Sequence, residues 1–484
     1  MTIAPKVFEE PLLEFGEGGQ HIDPRQGLRD YGPLQGTSGE TLRIGVVGNA
    51  QSAEGFAAYL ERVQRGIESA TSPPTNLNPD FPGLGNLNPF RCRMEVPEGG
   101  IHTLTARELR RITSGGPQAL SVRRAVDLFA GQIRALAESG ARPDVVVVAL
   151  PIEVIEQVVN AQGPSAEAEE PENDGGENDL NFRDLLKAAL LDLPVPTQIV
   201  WPDVYDEKAK IPQKIKRSRE RKVQSPATRA WNLLNGLYYK SNRVPWRLLP
   251  PESEYRTNYL GIGFYRAVDG QQLWTSTAQM FDERGRGVIL RGARAQTERR
   301  GRHPYLDVES MRELIARSVE TYRRHHRHAP ARLVIMKTSR FRSEESVGID
   351  AALDQVGVEL SDSIWVQESS PIMLMRDGTY PVLRGTFADF GGRGLLYTRG
   401  SVPYYRTYPG QRVPRPLLLV PRPGGDSTLE QLAREVFAMT KVNWNTTQFD
   451  QKLPAPIRAA RNVGRVLKHV EHERDVQADF RHYT

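Results

Sequence analysis

Four consecutive valines, Val145 to Val148, set between Asp144 and Ala149-Leu150-Pro151, constrain this chain more than any other feature. A run that is β-branched, apolar at every position and closed by a turn residue reads as a strand buried on both faces. Such a strand must be covered on two sides, and the flanks offer the cover. Residues 121–137 read as a helix. Leu42-Arg43-Ile44-Gly45-Val46-Val47-Gly48-Asn49 reads as a second buried strand, followed by a helical pattern through Phe56, Tyr59, Leu60 and Val63. Gln198-Ile199-Val200-Trp201 resembles a further strand. Strands alternating with helices imply a parallel sheet with crossover helices, so the fold class is α/β.

The second half opens on a different pattern. Residues 258–265 and 273–281 read as two strands around a glycine turn at Val268-Asp269-Gly270, a hairpin signature, and residues 288–294 continue as a third strand. Residues 308–326 carry Met311, Leu314, Ile315, Val319 and Tyr322 on one helical stripe, and residues 332–337 form another buried strand. Three strands, a helix and a strand are the order of an RNase H-like fold. The division expected is an arm at 1–40 that packs on the body, a Rossmann-like domain at 41–245 and an RNase H-like domain at 246–484. Residues 162–178, acidic and Gly-rich, read as a disordered loop within the first domain.

Composition removes several functions. The single cysteine, Cys92, excludes an internal disulfide and a Cys-based zinc site. No apolar run approaches the ~18 residues that span a bilayer, and the N-terminus has no secretory pattern, so the expectation is a cytoplasmic protein without membrane contact. There is no G-x-S-x-G turn for a serine hydrolase. Gly45-Val46-Val47-Gly48 lies between strand and helix but lacks the full dinucleotide-binding spacing; a nucleotide-binding α/β enzyme stays an alternative. The net charge is only +5, yet the cations are bunched between Lys208 and Lys222, between Arg284 and Arg302, and from Arg323 to His328. Such clusters suit a polyanion. The histidines of the third read as part of a solvated basic face rather than a metal site.

The first cluster leads into a helix, with Ser225 placed as N-cap, Pro226 at the first helical position, and Ala227, Trp231, Leu234 and Tyr238 on one face. A helix N-terminus suits a terminal phosphate; the plainer reading is an amphipathic helix after a solvated loop. Val223-Gln224, the helix through Asn232, and Lys240 resemble the MID domain of Argonaute proteins. The resemblance implies that Gln224 and Lys240 contact the 5′-phosphate of a guide; Tyr205 and Lys208, or equally Lys214 and Lys222, are candidates for the further ligands, and a Mg2+ ion bridging the phosphate is compatible with the family. Asn235 stands where the family often has another lysine. A straight helix would hold Gln224 and Lys240 roughly 20 Å apart at ~1.5 Å per residue, so their convergence rests on the resemblance, with a break at Gly236 as one way to help it.

The region from about residue 246 to 484 resembles a PIWI domain, whose active members hold two Mg2+ ions on carboxylates. The resemblance implies an emptied site. Gly263 in Leu260-Gly261-Ile262-Gly263, Thr338 in Lys337-Thr338-Ser339, and Arg461 after Leu453-Pro454-Ala455-Pro456 take the ligand positions. Gly and Thr do not replace carboxylates, and Arg repels the ion. Glu298 is the nearby acidic residue for the family's glutamate finger. Asp269, Glu344 and Glu345 are the carboxylates from which an active nuclease with displaced ligands would draw. Arg294, Arg340, Arg342, Asn443 and Asn445 are expected along a groove for the guide–target duplex.

No further domains are expected before the first domain, and Phe15-Gly16, Tyr31-Gly32-Pro33 and the helix from Pro226 are similar to the short prokaryotic Argonautes. That resemblance implies a guide RNA, a complementary invading DNA, and a separate APAZ-containing effector (TIR, sirtuin-like or nuclease) that the loaded complex switches on. The chain itself would cut nothing.

Overall fold

A computed structural model describes residues 4–36, 39–71, 74–158, 180–206, 208–211, 224–249, 257–267, 272–281, 286–298, 303–410, 412–471, 474 and 476–484. The acidic loop expected at 162–178 lies outside them, as do Lys214, Lys222 and Asp269.

The valine run forms the strand Val145–Ala149, buried at every position. It pairs in parallel with Thr41–Asn49 on one side and Thr197–Val200 on the other. The strand Thr41–Asn49 also takes Arg93–Glu95 and Ile101–Leu104 in parallel, at its two ends. Alternation along the valines explains the double cover. Val145 and Val147 join Phe56, Tyr59 and Val63 of the helix Ala50–Gln64 in one core, and Val146 and Val148 join Phe129 and Ile133 of Gln118–Ala137 in another. Asn49 starts the helix Ala50–Gln64 by accepting the Ser52 N–H at 2.7 Å.

The second sheet has nine strands. Five of them run in the spatial order Arg286–Arg294, Leu273–Phe281, Thr257–Arg266, Arg332–Lys337, Leu360–Gln367. The first two pairings are antiparallel and the next two parallel, the RNase H-like arrangement read from the sequence. The helices Val308–His326 and Ser343–Val356 cross over on one face, against Leu260, Ile262, Leu333 and Ile335. The helix Ala455–Leu467 covers the opposite face. It comes so close to Thr257–Arg266 that a Cβ at Gly261 would lie 2.2 Å from the Pro456 main chain, so only glycine fits there.

The arm is more structured than an extended segment. Lys6–Val7 pairs with Thr386–Asp389 at the edge of the large sheet, and Leu13–Glu14 pairs with both Gln20–His21 and Arg247–Leu248. Asp23 caps the helix Pro24–Tyr31. Glu10 meets Arg384 at 2.9 Å and Lys441 at 3.3 Å, and both cations are fully buried. Burial pushes the Lys441 ammonium down to about 8 although Glu10 opposes it. No helix among the described residues is long and apolar enough to cross a membrane.

Candidate nucleic-acid interface

The helix Pro226–Lys240 begins where Ser225 Oγ accepts the Thr228 N–H at 3.4 Å, and it buries Trp231, Leu234 and Tyr238 in the core. It runs through Gly236 without a break. Glycine serves a different purpose there, since a Cβ would lie 3.2 Å from the Asn445 main-chain oxygen. Gln224 and Lys240 therefore stay at opposite ends, and the expected kink is absent. Gln224 Oε1 accepts from Asn232 Nδ2 at 2.8 Å. Asn232 Oδ1 accepts from Thr446 Oγ1, Thr447 N and Thr447 Oγ1 at 2.8–2.9 Å, and Asn235 Nδ2 donates to the Trp444 oxygen at 2.6 Å. These two asparagines stitch the helix to the segment before Leu453.

Lys240 is fully buried. Its Nζ donates to the Thr484 main-chain oxygen at 2.8 Å, to Thr484 Oγ1 at 2.5 Å and to Asn445 Oδ1 at 3.4 Å. Burial, then Arg183 and Arg481, hold its ammonium well below the usual lysine range. Lys187, on the helix Phe182–Ala189, is buried too and donates to the Thr197 oxygen at 3.2 Å. Its ammonium is pushed well down by burial, then by Lys240 and Arg183. His482 is lowered to about 4, by burial first and then by Arg481, Lys187 and Lys240 against the pull of Asp479. The carboxylates close by are spent on arginines: Asp184 on Arg183 and Arg465, Asp479 on Arg481. Lys187 bonds to a main-chain carbonyl, and Lys240 to a hydroxyl, an amide oxygen and an oxygen of the last residue, Thr484. Neighbouring desolvated cations of this kind are relieved by an arriving anion. The same groups give a divalent cation little, so this cluster suits an anion better than a metal ion. Lys187 was not legible beforehand, because its helix is short and its burial depends on tertiary contacts.

The other sequence candidates scatter. Tyr205 is buried in the first core with its hydroxyl donating to the Leu150 oxygen at 3.2 Å, and Lys208 is exposed. Arg294 and Arg340 are exposed. Arg342 lies 4.2 Å over the Tyr305 ring and 3.6 Å from both Glu298 and Glu344. Asn443 accepts the Asn445 N–H at 3.3 Å, and both line a small cavity with Tyr239, Trp444 and Arg458.

Of the three ligand positions inferred for a metal site, Gly263 and Thr338 neighbour each other on the large sheet, and Arg461 lies on the helix Ala455–Leu467 that covers it. Ile262 and Lys337 are partners across parallel strands, so Gly263 and Thr338 are the next residues on each. A Cβ at Gly263 would meet Ser276 Oγ at 3.0 Å and Ala460 at 3.2 Å, and Ser276 Oγ itself donates to the Ala460 oxygen at 2.9 Å. Arg461, the next helix residue, is ion-paired with Glu368, just past the strand Leu360–Gln367. Sequence reading missed Glu368. The Thr338 main-chain oxygen accepts from Trp365 Nε1 at 2.8 Å. Glu345 is buried against Lys337 at 2.5 Å and also accepts the Leu306 and Arg342 N–H groups. Gly, Thr and Arg are poor donors for Mg2+, and of the described carboxylates nearest in sequence Glu345 is held by Lys337 and Glu344 lies beside Arg342. Among the described residues no group of three or more His, Cys, Asp or Glu side chains could hold a metal.

No family model matches the sequence, and no curated protein matches it significantly. Solved structures do. An Argonaute of Clostridium butyricum, bound to a guide DNA and a 19-mer target DNA, superposes over 99% of this chain and 55% of its own at 15% identity, with a TM-score of 0.65. Drosophila Piwi superposes over 99% of this chain and 56% of its own at 13% identity, with a TM-score of 0.59. The chain thus spans about half the length of these neighbours. At such identities the likeness establishes the fold: α/β, Rossmann-like MID followed by RNase H-like PIWI.

Proposed function

We propose that this chain is the guide-binding subunit of a short prokaryotic Argonaute immune system. It takes a 5′-phosphorylated guide RNA, recognises complementary plasmid or phage DNA, and activates an associated APAZ-containing effector of TIR, sirtuin-like or nuclease type. It leaves the target uncut. The observation that carries the reading is the pair of buried lysines, Lys187 and Lys240, set among further cations, Arg183 and Arg481. A terminal phosphate would restore charge balance there. The guide and target DNA named with the Clostridium butyricum protein support the same ligand class. The Gly263, Thr338 and Arg461 set supports binding without hydrolysis.

Guide loading tests it. The purified protein, alone and with its partner, should prefer 5′-phosphorylated over 5′-hydroxyl RNA, and Lys240→Met should remove about tenfold of that preference. Equal affinity for both ends in the unaltered protein sinks the reading. A complementary DNA target should stay intact with Mg2+ or Mn2+; cleavage would refute the binding-only role.

A further inference from the structure

We infer that Arg461 grips a backbone phosphate of the target strand, and that Glu368 is the internal anion it releases to do so; this rests on the guide–target reading above. The geometry carries the inference. The parallel strands Thr257–Arg266, Arg332–Lys337 and Leu360–Gln367 run in one direction, and Thr338 and Glu368 lie just past the carboxyl ends of the second and third. Ligands of open α/β sheets collect outside such ends. Arg461 reaches this place from the helix Ala455–Leu467, whose neighbouring residue Ala460 lies over Gly263. Glycine and threonine contribute no charge, whereas the pair of Arg461 and Glu368 does.

The pair is neither sealed nor fully solvated. The Arg461 side chain is 35% exposed and that of Glu368 26%. A guanidinium fork fits a carboxylate and a phosphate with the same planar geometry, so a strand arriving here can replace Glu368 one anion for another. The cation at this position would then neutralise a phosphate without a metal ion. Glu368 would act as a competitor that weakens contacts until a duplex is seated.

The two side chains should therefore act in opposite directions. In the complex loaded with a 5′-phosphorylated guide, Arg461→Gln should weaken target DNA about tenfold and make the salt dependence shallower by about one unit. Glu368→Gln should tighten target binding severalfold. Guide loading and melting temperature should change little in either variant, because the pair is partly solvated. A merely structural ion pair would shift both variants the same way, and that outcome overturns the inference, as does target affinity unmoved by either. Failure of the unaltered protein to load guide is a different result and sinks the underlying reading instead.

Discussion

A Cβ at position 263 would lie 3.2 Å from that of Ala460, so the helix Ala455–Leu467 rests directly on the strand Thr257–Arg266 at Gly263. A larger residue there must displace that helix or the Ser276 hydroxyl. Gly263→Asp should therefore destabilise the protein by about 1–3 kcal/mol in urea denaturation, and it should confer no Mg2+-dependent cleavage. A stable, cutting variant would contradict the packing described.

His482 provides an acid-side marker. Its folded value is lowered to about 4 against an ordinary 6.5, so between these values the unfolded chain binds more protons. Its contribution is intact above pH 6.5 and is lost as pH falls towards 4, at up to about 1.4 kcal/mol per pH unit. Denaturation of the protein and of His482→Gln at pH 7 and pH 5 should show the smaller loss in the variant. An identical loss in both would mean that His482 is not held neutral.

Lys337 and Glu345 form an ion pair with neither side chain exposed. Lys337→Met leaves a buried carboxylate without its cation, and should cost about 3–5 kcal/mol. Adding Glu345→Gln should return part of that stability, because the unpaired buried charge is gone, although the single amide oxygen can accept only one of the Leu306 and Arg342 N–H groups that two carboxylate oxygens now take. A double-mutant cycle by thermal melting reads the coupling.

Asn232 joins the two halves through one oxygen with three donors, from Thr446 and Thr447. Asn232→Ala leaves the Thr447 N–H and two hydroxyls to find water, at about 1–3 kcal/mol. The loss should show in urea unfolding. No change would mean that the segment 443–447 is held elsewhere.

Much of the fold was legible in advance for definite reasons. Val145 to Val148 declare a strand buried on both faces, and the stripe of Val308–His326 declares a helix with one buried side. The strand Leu360–Gln367 was not legible, because Ser361, Asp362 and Ser363 interrupt its apolar pattern. Asp362 is buried with Arg332 at 2.6 Å and with the Ser427 N–H and hydroxyl donating to it, partners that local sequence cannot announce. The site divided along the same line. Lys240, Gly263, Thr338 and Arg461 could be picked out by resemblance, but Lys187 and Glu368 become visible only when distant segments meet. Gly236 in the sequence suggests a helix break, whereas in the fold it admits the Asn445 main chain.

The N-terminal arm has a practical corollary for anyone dissecting the chain. Lys6–Val7 completes an edge of the C-terminal half's sheet, and Glu10 is the carboxylate that Arg384 and Lys441 share in a dry interior. A fragment that starts near residue 246 would carry two orphaned interior cations and an open strand edge, and would be prone to aggregate. The two ends of this polypeptide are one folding unit, and cutting between the apparent domains severs it.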